Sequence, residues 1–446
     1  MLRADELGRC ALAAVIAHCN ALPCCDEPGS PGSAVDATAA AWAAERGVRA
    51  RLRAGTFGEL RGAAATEDVH AVDVVAELPA SSLLLAPAAF DEPGLGDAIR
   101  AVHGVDDDTA ALVWTMRQRA NAASAYAPLW AALPRSPLHT GLTLPEAALA
   151  ALDGTLLAEE VRQLQAAARH QYDELFPALL NAFPAAFAGS VDGDPHYSFD
   201  AYLLAAELWQ AYAVRVVPPG GGAPCSALLP EVLLLNHSAQ APHVVRFSVP
   251  DADQVLRLRA LRPCRAGAQL HLSYGALPNS HLLLFYGFTL RDNPHDTFPL
   301  TLELPEEEEE GQGAAATAQL RAALLERWQL GLEHTLRRGE RLPSRLLGAL
   351  RLLTAPADEL AACAENPRHV PLSADNDQTV ALTLAGTLDA LLESLPPEPV
   401  QPSDAATHSS AAALGHCAVY LEGQRNILLD AQRHCADMLA SCLPSV

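Results

Sequence analysis

The chain has 446 residues, with 30 basic and 53 acidic side chains and a formal net charge of -23, and every basic residue is arginine. Like charge repels so acidic a chain from nucleic acid and anionic lipid at long range, and neither partner is expected. With 50% hydrophobic and 19% charged residues, wholesale disorder is excluded, and the length allows two or three domains that each bury a core.

Residues 1–50 are alanine-rich and helix-like, an N-terminal extension. The run Cys24-Cys25-Asp26-Glu27-Pro28-Gly29-Ser30-Pro31-Gly32 breaks it as a loop. Asp5, Glu6, Asp26 and Glu27 argue against a secretory leader. No run approaches the roughly 20 apolar residues that span a bilayer. An intracellular, soluble protein is expected, cytoplasmic or plastid. The ten cysteines show no repeated spacing and no Cys-x-x-Cys pair, so reduced thiols and no metal site are expected.

Val72, Val74, Ala76 and Leu78 alternate with more polar positions until Pro79, a strand pattern, and Leu83-Leu84-Leu85 follows. Residues 107–215 change to long helical periodicity, as in Leu156-Leu157-Ala158-Glu159-Glu160-Val161. Polar loops fall at Pro134 to Gly141 and Ser190 to Pro195. From Ala227 to Leu304 short β-like runs return: Leu233 to Leu235, Val244 to Val249, Val255 to Leu261 and Gln269 to Tyr274. Glu306 to Glu310 then mark a solvated linker over 301–313. Residues 314–446 read as helices, with apolar stripes at Leu320, Leu324, Leu325, Trp328 and Leu332, and at Leu384, Leu388, Leu391 and Leu392.

The chemistry concentrates between Leu228 and Phe288. An apolar run delivers Asn236-His237-Ser238. Further on, a strand ends in Tyr274-Gly275, followed by Asn279 and then Tyr286-Gly287-Phe288. In order and spacing this resembles a SET domain, in the branch that includes the Rubisco large-subunit lysine methyltransferase and the actin-histidine methyltransferase. Within 107–215, Ser124 to Pro134 and Leu152-Asp153-Gly154-Thr155 are similar to that branch's helical insert. Asp375-Asn376-Asp377 and Tyr420 to Arg425 are similar to its C-terminal substrate-binding domain. The resemblance implies an α+β chain: a SET β-fold over 51–300 with a large helical insert, then an all-α substrate-binding domain over 314–446.

It also implies S-adenosyl-L-methionine as cofactor and a protein-lysine N-methyltransferase acting on a non-histone protein. Asn236 and His237 are then expected to hold the cofactor, and Gly62 to let the backbone approach it. Tyr274 is expected to position the attacking amine, with Tyr286 as the second hydroxyl of the substrate channel. The implied partner is a lysine-containing basic segment of a protein, and a monomer is expected. Three positions depart from the family. Leu60 stands at its first glycine, and Leu233 stands at the aspartate three residues before Asn-His. Ala211 lies in a stretch lacking the expected arginine, for which Arg215 is the candidate substitute. A SET scaffold that binds without catalysis, or a histidine-directed enzyme, are the alternatives.

Overall fold

The computed structural model describes residues 28–184, 187, 195–218, 221–240, 242–246, 254–305, 312–397 and 408–442. Residues 1–27 with Cys24 and Cys25, residues 190–194 of the polar loop, and the run Glu306 to Glu310 lie outside the described residues. The chain forms two compact units. The first comprises residues up to 144, 160–277 and 284–287; the second comprises 145–159, 278–283 and 288–446.

The first unit is built on a twisted, mostly antiparallel sheet. Strands β1 (Ser30–Pro31), β3 (Leu52–Phe57) and β4 (Leu60–Ala65) form one side, and β2 (Arg49–Ala50) and β5 (Val74–Pro79) the other. The strand expected around Val74 to Leu78 forms as β5, but both of its faces are covered: Ala76 and Leu78 are buried on one face and Val75 on the other, while Val72 lies outside the strand and is exposed. Helix α1 (Ala34–Glu45) enters through a reciprocal capping box between Ser33 and Asp36. Strands β6 (Leu84–Leu85), β7 (Val214–Val216) and β8 (Cys225–Leu228) make a separate three-stranded sheet.

Between them lies the helical insert. Helix α2 (Leu95–Ala101) leads into α3 (Asp107–Ala120), capped by Asp106, and α4 (Ala127–Ala132) follows. Helix α5 (Glu146–Ala150) belongs to the second unit. Helix α6 (Leu156–Ala182) and α7 (Phe199–Tyr212), capped by Ser198, complete the insert. Trp114, Phe176 and Tyr202 fill the core of the first unit. Tyr202 donates from its hydroxyl to Gln171 and Trp114 from its indole N–H to Glu92, so both polar tips of that cluster are satisfied.

The central strands carry the motif residues. Strand β9 (Asn236–His237) and β10 (Val244–Arg246) both run parallel to β12 (Gln269–Leu272), while β11 (Val255–Ala260) joins β10 to β5. Leu233 to Leu235 differs from expectation. The strand there is Asn236–His237 alone, and Val232–Leu234 form a single helical turn. Three successive leucines carry no period, and Pro230 followed by Glu231 at φ 65° bends the chain into that turn.

In the second unit, α8 begins at Asn279 (its span is Asn279–Tyr286) and β13 (Thr297–Thr301) follows. Helices α9 (Gln312–Arg327), α10 (Ser344–Thr354), α11 (Ala357–Ala362), α12 (Ala374–Ser394) and α13 (His408–Cys442) follow in turn. The expectation of helices alone after 314 is corrected by β14 (Glu333–Arg337), which pairs antiparallel with β13. His334 and Leu336 point in while Glu333, Thr335 and Arg337 face water, the period of a strand. Among the described residues no helix is long and apolar enough to cross a membrane. The described cysteines Cys225, Cys264, Cys363, Cys417 and Cys435 are buried and free.

Candidate active site

Strand β12 ends two residues before Tyr274. Its Leu270 and Leu272 face the core, and Gly275 at φ 134° turns the chain in a conformation closed to most side chains. Its partner β9 is held in parallel register, with His271 opposite Asn236 and Leu272 opposite His237. That register sets the His237 ring beside Tyr274. The Tyr274 backbone N–H donates to His237 Nδ1 at 3.0 Å, and the two rings lie 5.0 Å apart.

The Tyr274 hydroxyl donates to the Leu235 carbonyl at 2.9 Å. Tyr286 completes a short aromatic row, its ring 5.0 Å from that of Tyr274. Burial raises the Tyr274 pKa above the ordinary phenol value, and the neighbouring Tyr212 and Tyr286 push the same way. The hydroxyl is therefore neutral at physiological pH.

Asn236 reaches the neighbouring edge of the sheet. Its side-chain amide donates to the Arg61 carbonyl at 2.9 Å. Gly62, buried in β4, makes this approach possible. A Cβ there would lie 2.9 Å from Asn236 Nδ2 and 2.4 Å from Gln269 Nε2. Leu60, at the first departure, is 54% exposed.

Ala211, Arg215, Leu233, Tyr274 and Tyr286 all line one cleft of about 660 Å³, open to solvent, with Tyr212 and Ser273 among its other walls. The sequence-predicted tyrosines thus share a site with two of the three departing positions. Arg215 sits at its exposed edge. One arm of its guanidinium donates to the Pro224 carbonyl at 2.6 Å, and the other lies 3.9 Å from Asp108. Gly62, Asn236 and His237 are not among the residues lining this cleft; they stand on the strands behind it.

One supporting residue escaped the sequence reading. Glu207 on α7 is fully buried and accepts from the Leu138 and Thr140 backbone amides, each at 3.0 Å, and from the Thr140 hydroxyl at 2.8 Å. The loop it organises meets the end of α8. Gly141 N–H donates to the Leu284 carbonyl at 2.8 Å, and a Cβ at Gly287 would lie 2.3 Å from the Leu138 carbonyl oxygen. Glu207 thereby fixes the turn that carries Tyr286. The only signal in the sequence was a lone acid inside an apolar helix, Ala206-Glu207-Leu208-Trp209.

In the second unit Asn279 and Asp377 have structural roles. Asn279 is buried, accepts from Leu290 N–H at 2.8 Å, donates to the Leu290 carbonyl at 3.0 Å, and donates its own backbone amide to Asp296. Asp377 receives both arms of Arg351, at 2.6 and 3.0 Å, in a buried fork-to-fork pair.

Known proteins share the fold. Residues 312–428 match the sequence family described as Rubisco LSMT substrate-binding. SET domain-containing protein 4 of Mus musculus is 35% identical over 79 residues, a stretch that spans 18% of this chain and 17% of that protein's length. Among solved structures, Rubisco LSMT bound to sinefungin and monomethyllysine superposes with a TM-score of 0.69 at 18% identity, covering 92% of this chain and 93% of that one. The SET domain of LSMT bound to lysine and AdoHcy gives 0.66 at 17% identity, covering 92% of each chain. The chain therefore has the mixed helix-and-sheet fold of the SET-domain LSMT branch, ending in an LSMT-type substrate-binding domain.

Proposed function

We propose that the chain is an S-adenosylmethionine-dependent protein-lysine N-methyltransferase acting on a non-histone protein. The observation that carries this reading is the pairing of Tyr274 and Tyr286, rings 5.0 Å apart, in the wall of a solvent-open cleft. The LSMT structures bound to AdoMet and to lysine or methyllysine, which share the fold, support the same assignment.

S-adenosylmethionine, when bound, supplies an electrophilic methyl group on a sulfonium. Asn236, His237 and Gly62 are the proposed holding residues, and the missing Cβ at Gly62 is what admits the Asn236 side chain against that strand. Tyr274 keeps its proton and is engaged with the Leu235 carbonyl, so it acts by positioning. Its oxygen retains lone pairs that can accept from an incoming amine. The Tyr274 and Tyr286 rings, packed against each other, present aromatic surface that favours a cationic or partly cationic group beside them.

Among the residues lining the cleft, the ionisable ones are Tyr212, Tyr274, Tyr286 and Arg215. None is a base near neutrality. The substrate amine therefore loses its proton to water as it enters. Holding a neutral amine in line with the methyl group is what the rigid site contributes.

Transfer of labelled methyl from S-adenosylmethionine into a cell lysate, followed by mass spectrometry of the modified side chain, tests the reading. Label on lysine Nζ supports it. Label on imidazole would assign the histidine-directed activity instead. Cofactor binding with no transfer would assign a binding scaffold.

A further inference from the structure

A second, solvent-open pocket lies in the first unit, lined by Asp36, Arg61, Leu129, Leu133, Glu231 and Leu233 among others. Leu233 belongs to the walls of both this cavity and the tyrosine cleft. The cavity therefore adjoins the proposed site but carries a different chemistry.

Glu231 is its unusual member. The residue adopts φ 65°, ψ -37°, a left-handed conformation that a side chain makes costly. Its carboxyl has no hydrogen bond or ion pair among the described residues. Burial raises its pKa to about 7, against a smaller opposing pull from Arg61 and a further push from Asp36.

The charged groups facing Glu231 are Asp36 on α1 and Arg61 on β4, while α4 and the residue that follows it contribute only Leu129, Ala132 and Leu133. Arg61 is already matched. Its Nε and one terminal nitrogen both donate to Asp36 Oδ1, at 2.9 and 2.6 Å. When Glu231 ionises, the cavity holds one uncompensated negative charge against a largely apolar wall. Such a charge is complementary to a cation that none of the described residues lining the pocket supplies. The backbone of the same Arg61 accepts from Asn236, a proposed cofactor-holding residue.

We infer that Glu231 receives the α-ammonium group of the amino-acid end of S-adenosylmethionine, with the Arg61–Asp36 pair setting the single negative charge of the cavity. The inference rests on the cofactor assigned above. It also accounts for a carboxylate at 231 in a chain that has leucine at 233.

Binding an ammonium stabilises the ionised carboxyl, so it lowers that pKa and expels a proton. Calorimetric titration of S-adenosylhomocysteine, which carries the α-ammonium but no sulfonium, measures this in two buffers of different ionisation enthalpy. The expected result at pH 7 is release of roughly half a proton, since the free carboxyl is about half protonated there. 5′-Methylthioadenosine, which lacks the amino-acid end, should release none. Glu231→Gln should bind S-adenosylhomocysteine about tenfold more weakly or worse, without proton release, and should bind 5′-methylthioadenosine as the wild type does.

Binding of S-adenosylhomocysteine by the wild type with no proton release would overturn this inference alone, and so would unchanged affinity in Glu231→Gln. Absence of binding of either nucleoside to the wild type would overturn the cofactor assignment and the inference with it. The proton count is taken on the wild-type chain, so it decides the question even if the variant does not fold.

Discussion

The backbone amide of Tyr274 donates to Nδ1 of His237 at 3.0 Å, tying the strand that ends at the candidate catalytic tyrosine to the short parallel strand beside it. The bond fixes Nδ1 as an acceptor, so neutral His237 carries its proton on Nε2. His237→Ala leaves a backbone donor without this partner and opens space under the Tyr274 ring. Stability should fall by about 1–3 kcal/mol in urea melts, and methyl transfer should fall with it.

Tyr274→Phe keeps the ring and removes only the hydroxyl that donates to the Leu235 carbonyl. Cofactor titration should give an affinity close to wild type. Single-turnover methyl transfer should fall on the order of 10²-fold, the size of effect expected when a reacting group is misplaced by a fraction of a bond length. Unchanged turnover would remove Tyr274 from the site.

Gly62→Ala tests the close passage behind the cleft. The added Cβ would lie 2.9 Å from Asn236 Nδ2 and 2.4 Å from Gln269 Nε2, so the Asn236 amide must retreat from the Arg61 carbonyl. We expect a loss of about 1–3 kcal/mol in stability by thermal melt, together with weaker cofactor binding.

The pH dependence of transfer follows from the lining of the cleft. With Tyr274 held protonated and no base titrating near neutrality, the observed rate should climb with the fraction of neutral substrate amine. On a lysine peptide the rate should rise about tenfold per pH unit from pH 7 to 9 under subsaturating substrate, because the free amine has a pKa near 10.4. A plateau beginning near pH 7 would point to a base that the cleft does not contain.

Glu231 makes a stability prediction of opposite sense to most carboxylates. Its folded pKa of about 7 lies above the ordinary 4.5, so the unfolded chain ionises first as pH rises. The associated stability is complete below about pH 4.5 and is lost as pH climbs through 7. Glu231→Gln should therefore be more stable than wild type at pH 8, by up to about 3 kcal/mol, and the gap should close toward pH 4.5. Denaturant melts without added nucleoside measure both ends.

Part of the sheet was legible in the sequence because β11 and β12 alternate buried and half-buried residues with period two, whereas β5 buries the neighbours Val75 and Ala76 together. The family resemblance implied a shared channel for Tyr274 and Tyr286, and their rings do lie 5.0 Å apart. The turn at Val232–Leu234 was not legible, since three consecutive leucines fit a strand and a helix equally. Strand β14 was hidden in a helical region because five residues with one strong apolar side chain, Leu336, give little signal before β13 supplies a partner. Glu207 and Glu231 were invisible for a different reason. What makes each informative is burial, and burial depends on elements distant in the chain. Neither the amides that satisfy Glu207 nor the pocket that surrounds Glu231 can be read from the residues beside them.

Labelled methyl transfer from S-adenosylmethionine into a cell lysate, run side by side with the wild-type chain and Tyr274→Phe, tests the proposed activity most directly. The chain has no lysine, so label retained on it cannot sit on a lysine side-chain amine and will not be mistaken for substrate. The expected result is label on lysine Nζ of a protein in the lysate, with the Tyr274→Phe signal reduced on the order of 10²-fold. No label above background from the wild type, while it still binds the cofactor, would contradict the assignment.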